Sequence, residues 1–206
     1  MISRWQQEGI NTSLVLTDNA HQSGLYLIQL DAQGERTFLY WRDNSAARYL
    51  LRHPDYPKLC QQLQGMDACY LGGISLAILP KGDRQLLLNE LNKLSCTIFF
   101  DSNYRPALWE NASQARECYQ QMYAITDITL MTDDDEARLW GEESSIDESF
   151  QHLKKMGSNK RLSKRARRAV FIATYFSQER IFWVRISWII IVKLKYSILQ
   201  RNLLRQ

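Results

Sequence analysis

The first quarter of the chain has the alternating polar and apolar character of β-structure. Residues 11–15 read as a short strand, and 24–30 and 36–41 are two β-rich runs around Asp31-Ala32-Gln33-Gly34, a hairpin signal. Aromatic side chains fall on both faces of the second run. Both faces therefore have something to meet, either a ligand beneath a lid or ordinary sheet packing. Beyond the hairpin the period shifts to strand and helix in steady alternation. A short helix with Pro57 near its start runs to Gly65, and residues 67–71 form an apolar strand ending in Gly72-Gly73. Leu86, Leu87, Leu91 and Leu94 recur at helical spacing, and a second apolar strand covers 96–100. A helix around 113–123, a strand at 127–131 and a helix opening at Thr132 follow. A last amphipathic helix is expected from near Ser145 to Gly157. Such alternation predicts an α/β fold, with parallel strands joined by crossover helices that cover both faces of the sheet.

In open sheets of this kind ligands sit beyond the carboxyl ends of the strands, so the polar residues there are the first candidates. After the first sheet strand, Gly72-Gly73-Ile74-Ser75 permits a close approach by a ligand or another backbone. After the second comes Asp101-Ser102-Asn103-Tyr104-Arg105-Pro106. Here Arg105 either holds an anionic group with its guanidinium fork or pairs with Asp101. After the third, Thr132 is followed by four acids, Asp133 to Glu136. Acids at a helix start complement the dipole; magnesium held through water is the functional alternative.

Composition changes this picture at one place. The 206 residues are 45% hydrophobic and 23% charged, a globular composition sized for one domain. Cutting after Met156 leaves 14 Lys and Arg with 21 Asp and Glu before the cut, and 12 with 1 after it; the net +4 separates into −7 and +11. Beyond Gly157 there is no Gly, Pro or Asp, which removes most of the usual means of turning the chain. The four cysteines (Cys60, Cys69, Cys96, Cys118) are widely spaced in apolar surroundings. They read as small core residues of a cytoplasmic protein and not as zinc ligands. No phosphate loop, dinucleotide fingerprint or nucleophile elbow is present. None of His21, His53 and His152 falls at a strand end, which argues against a histidine-centred acid–base site. The longest late apolar run, 188–192, is too short to span a bilayer.

Read in order, Gly24-Leu25-Tyr26, Gly34-Glu35-Arg36-Thr37-Phe38 with Tyr40-Trp41-Arg42, Leu71-Gly72-Gly73-Ile74-Ser75, Asn103-Tyr104-Arg105-Pro106 with Leu108-Trp109, and Asp134-Asp135-Glu136 with Leu139-Trp140-Gly141 closely resemble the keto-deoxy sugar acid branch of the ribokinase-like (PfkB) sugar kinases. The resemblance runs from about Trp5 to Gly157. It implies a partial parallel sheet flanked by helices with part of a small β lid, and MgATP-dependent phosphorylation of the terminal hydroxyl of 2-keto-3-deoxygluconate. It also implies site roles. Tyr26, Tyr40, Trp41 and Arg42 on the lid, together with Arg105, meet the sugar acid; Asn103, Tyr104 and Arg105 border the ATP phosphates; Asp133 and Glu136 lie near the metal. A cationic fork, a metal and a closing lid are the parts phosphoryl transfer needs.

The resemblance also marks what the chain lacks. The family's Gly-Gly-Asx substrate loop and its Gly-Ala-Gly-Asp motif, whose Asp is the general base, find no counterpart among these residues. No catalytic base is therefore expected, and the chain is expected to be an inactive fragment, residues 1–157 forming the central part of the kinase domain with its lid hairpin at 24–42. Residues 158–206 are expected to be a basic tail outside the family, the product of a shifted reading frame. The rival is a tail that binds nucleic acid or a membrane surface through Lys160, Arg161, Lys164, Arg165 and the aromatic residues that follow. The small-molecule reading carries no membrane or nucleic-acid partner. Family members commonly pair through the lid; with only part of it present, that dimer is not expected.

Overall fold

A computed structural model describes residues 1–141 and, beyond them, three strand segments between 163 and 192. The chain opens with helix α1, Ile2–Gln7. The strand expected at 11–15 does not form. The Asn11 side chain accepts from the Ser13 N–H at 2.8 Å and the Val15 N–H turns back to the Thr12 carbonyl at 3.0 Å. These local partners take the place of a sheet ladder.

The hairpin forms as expected, β1 Leu25–Leu30 against β2 Arg36–Trp41, antiparallel, with Tyr26 opposite Tyr40 and Leu25 opposite Trp41. Its turn is organised by Asp31, whose carboxylate accepts from the Gln33 and Glu35 N–H groups at 2.9 and 2.8 Å. Every residue of both strands is exposed. The apolar side chains on both faces are thus open to solvent in the described structure.

A 3-10 turn over Ala46–Arg52 and helix α2, Tyr56–Leu63, lead into the main sheet. Strands β3 Ala68–Gly72, β4 Thr97–Asp101 and β5 Ile128–Leu130 pair in parallel. Helices α3 Gly73–Ile78, α4 Lys81–Asn92 and α5 Ala112–Ile125 connect them, and α6 Asp133–Trp140 follows β5. Three further strands are β6 Ser163–Ala166, β7 Ala169–Ile172 and β8 Ile191–Val192. The sheet order is β5-β4-β3-β8, and β8 runs antiparallel on the edge, so the sheet is parallel only in its first three strands. The helix expected from Ser145 to Gly157 lies outside the described residues.

Phe100 occupies the centre of the core with no solvent exposure, and the rings of Tyr119 and Tyr123 meet it edge-on at 5.4 and 5.6 Å. Those tyrosines are four apart on α5, one turn, so both reach the same point on the sheet. On α4 the buried leucines are Leu87, Leu88 and Leu91, while Leu86 is exposed. The helical face is therefore rotated from the one the leucine spacing suggests. Arg84 fixes that rotation. It donates to the Leu76 and Ala77 carbonyls that end α3 and lies over the Trp109 ring at 4.5 Å, closing the α3–α4 corner. Cys69, Cys96 and Cys118 are buried as expected, Cys60 is partly exposed, and all four are free thiols. Among the described residues no helix is long and apolar enough to cross a membrane.

Candidate active site

The register brings three chain exits to one edge, because Gly72 stands opposite Asp101 and Asp101 opposite Leu130. The Ser102 N–H extends the ladder by one bond to the Leu130 carbonyl, 2.8 Å. Tyr70, inside β3, donates its hydroxyl to Asp101 across 2.8 Å. Asp101 is thus engaged by a neighbouring strand, and Arg105 turns elsewhere.

At the first exit the two glycines differ. A Cβ on Gly72 would meet nothing within 4 Å, whereas one on Gly73 would fall 2.0 Å from the Ser102 carbonyl oxygen. What comes close to Gly73 is the protein itself. At the second exit Asn103 takes a positive φ of 32°, a conformation Asn tolerates better than most residues. Tyr104 folds inward, buried, its ring edge-on to Tyr119 at 5.8 Å. Arg105 points the other way. One guanidinium nitrogen donates to the Tyr104 carbonyl at 2.8 Å and stands 3.6 Å from Asp135, not Asp101, while the side chain keeps 44% of its exposure.

At the third exit Thr132 caps α6, its hydroxyl accepting from the Asp135 N–H at 3.1 Å, and the helix stops at Gly141 in the left-handed conformation, φ 81°. The four acids do not act alike. Asp134 is exposed. Asp135 is buried, and its carboxyl sits above its ordinary value because burial outweighs the opposing Arg105 charge. Glu136 is 2% exposed and accepts from the Tyr123 hydroxyl at 2.8 Å and the Trp140 indole at 2.9 Å. Burial raises the Tyr123 hydroxyl far above its usual range, which keeps it a donor to that carboxylate. Buried and with a donor on each oxygen, Glu136 is held as an acceptor for Tyr123 and Trp140 and is not turned out to meet a metal directly. No group of three His, Cys, Asp or Glu able to hold a metal occurs among the described residues. The Asp133 side chain is not described.

The hairpin residues sort by face. Side chains alternate along a strand, and opposed residues share a face, so Tyr26 and Tyr40 stand together while Trp41 lies on the other side with Leu25. Arg42 folds its guanidinium over the Tyr40 ring at 4.1 Å, joining the tyrosine pair. Three of the four expected lid residues therefore form one cluster. Tyr119 was not among the residues singled out from the sequence, and Asp135 figured there only as one of four acids at a helix start; nothing in that run pointed to the neighbouring loop.

Comparison with known proteins is consistent with this arrangement. The profile described as pfkB family carbohydrate kinase matches residues 1–188, running past Gly157. A 2-dehydro-3-deoxygluconokinase of Haemophilus influenzae is 50% identical over 182 residues, covering 86% of this chain and 58% of that protein. One of Escherichia coli K12 is 41% identical over 146 residues, covering 69% and 47%. The chain thus spans about half the length of these relatives. Among solved structures, a PfkB protein from Polaromonas sp. JS666 superposes with a TM-score of 0.68 at 18% identity, covering 83% of this chain and 57% of that one. A fructokinase from Vibrio cholerae O395 in fructose, ADP and calcium ion bound form gives 0.65 at 18% identity, covering 88% and 57%.

Proposed function

The chain belongs to the pfkB family of carbohydrate kinases, and from that premise we propose that it carries the acceptor side of a kinase that transfers the ATP γ-phosphoryl group to 2-keto-3-deoxygluconate, giving the 6-phosphate. The observation that carries this reading is the similarity to 2-dehydro-3-deoxygluconokinases. The geometry supports it. A partly open guanidinium at a strand end can receive a carboxylate or phosphate in a bidentate manner, and Arg105 is the described residue so placed. The Tyr26, Tyr40 and Arg42 cluster supplies an aromatic face with a cation above it, suited to a sugar acid.

Each residue then has a stated task. Arg105 binds the acid group and, with Asn103, borders the phosphates; the backbone of 102–105 is fixed by core contacts, so the fork is presented without reorganisation. The lid cluster orders the sugar and excludes water. Magnesium, when bound with ATP, would neutralise phosphate charge; Glu136 does not fit as its direct ligand. No aspartate follows Gly157, so the Gly-Ala-Gly-Asp motif that supplies the family's general base has no counterpart among these residues. We therefore propose that the chain as it stands binds without turnover, in a reducing, cytoplasmic setting that keeps its four thiols free.

The test is ATP consumption by the purified chain with 2-keto-3-deoxygluconate. The expected result is no turnover above background. Turnover that disappears in Arg105→Ala would show that the chain contains its own base.

A further inference from the structure

Asp135 belongs to α6, yet most of what its carboxylate touches lies on the loop after β4. Its backbone N–H donates to the Thr132 hydroxyl at 3.1 Å, the Tyr104 N–H is among the groups that favour its charged form, and its Oδ1 stands 3.6 Å from the Arg105 Nη1. That separation is an ion pair and not a hydrogen bond. The carboxylate side chain keeps 10% of its exposure against 44% for the arginine. One end of the pair is therefore set in the protein and the other is offered to solvent. The same guanidinium nitrogen also donates to the Tyr104 carbonyl, so Arg105 is tethered at one corner of its fork.

We infer that Asp135 is the positioning residue for Arg105: by joining the start of α6 to the loop after β4, it holds the guanidinium corner against the protein and turns the remaining fork toward an anionic ligand. The inference rests on the reading that Arg105 meets such a ligand. A buried carboxylate is costly without partners, and this one is kept at the junction of two exits. A free arginine loses much rotamer freedom on forming a bidentate pair, and a tethered one loses less. Asp135 thus favours binding although its own charge opposes the anion.

Two measurements on the full chain separate the inference from the reading beneath it. The first needs no ligand: phenylglyoxal labelling of individual arginines, with the Arg105 Nε–H order parameter from NMR. Asp135→Asn is expected to speed Arg105 labelling about threefold and lower its order, while Arg84 and Arg116 are unchanged and Asp135→Glu restores most of the effect. Unchanged Arg105 labelling and order in the Asn variant, with the thermal midpoint preserved, would overturn the inference. Should the Asn variant not fold, Asp135→Ser decides: faster Arg105 labelling and lower order are expected, and unchanged values overturn the proposal. The second is calorimetric titration with 2-keto-3-deoxygluconate. Asp135→Asn is expected to weaken binding about threefold, with no further effect in an Arg105→Ala background. Tighter binding in the Asn variant would make Asp135 a competitor and overturn the proposal. Wild-type affinity in Arg105→Ala would instead remove the reading of Arg105, leaving the labelling result to judge Asp135.

Discussion

Tyr119 donates its buried hydroxyl to the Ser102 carbonyl oxygen across 2.5 Å, tying helix α5 to the first residue beyond β4. Gly73 lies directly against this bond: a Cβ there would fall 2.1 Å from the hydroxyl and 2.0 Å from the carbonyl oxygen. The loop that carries Asn103 and Arg105 is thus held from beneath at Ser102 by Tyr119 of α5 and Gly73 of α3.

Substitutions at this lock should be costly. Gly73→Ala forces a backbone or the Tyr119 ring to move, and overpacking of this kind costs about 1–3 kcal/mol or more. Tyr119→Phe leaves the Ser102 carbonyl without that donor, for about 1–3 kcal/mol. Urea unfolding checks both, and a midpoint shift within error for Gly73→Ala would contradict the close packing.

The hairpin should respond by face. Tyr40→Ala removes the ring that stacks with Arg42 and pairs with Tyr26, and should weaken 2-keto-3-deoxygluconate binding about tenfold. Trp41→Ala, on the opposite face, should change it less than about twofold. Equal losses would mean that the ligand does not select the tyrosine face.

Asp135 should leave a signature in the pH dependence of stability. Its folded-state carboxyl lies above the ordinary value of 3.8, burial being the main cause and Arg105 the main opposing one. The folded protein therefore holds this proton more tightly than the unfolded chain. The resulting stability is fully present below pH 3.8 and is lost as pH rises through the raised value. Asp135→Asn removes the titration, so the unfolding free energy of the unsubstituted chain minus that of the variant should fall as pH rises from below 3.8 and then level off. A difference that grows over that interval would have the wrong sign.

The cysteines test the core. Burial pushes Cys69 up to about 12 and Cys118 up to about 11, so neither presents much thiolate near neutrality. Cys60 is only partly buried. Iodoacetamide should label Cys60 in the folded chain and reach Cys69 and Cys118 only on unfolding, as peptide mass mapping will show.

The elements that could be read from the chain are those in which a strong local pattern agrees with the final packing. Residues 68–72 and 97–101 are apolar runs bounded by glycine or polar turns, the first buried throughout and the second buried at alternate positions and half-buried at the others. The segment 11–15 misleads because Asn11 and Thr12 satisfy their neighbours locally, an option that β-character does not reveal. Leu86 and Leu88 exchange roles because Arg84, a charged residue, turns inward to cap α3, and hydrophobic spacing counts such a residue as exposed. The strand-end positions of Asn103 and Arg105 were legible from topology. The Arg105 partner was not, since Asp101 and Asp135 are equally plausible on charge alone; in the fold Tyr70, reaching from the adjacent strand, donates to Asp101 while Arg105 stands beside Asp135.

Calorimetric titration of 2-keto-3-deoxygluconate into the 206-residue chain, alongside Arg105→Ala, decides whether Arg105 receives the sugar acid. Saturable binding by the unsubstituted chain is expected, weakened at least about tenfold in the variant. Binding that is absent, or that survives Arg105→Ala undiminished, would contradict that role.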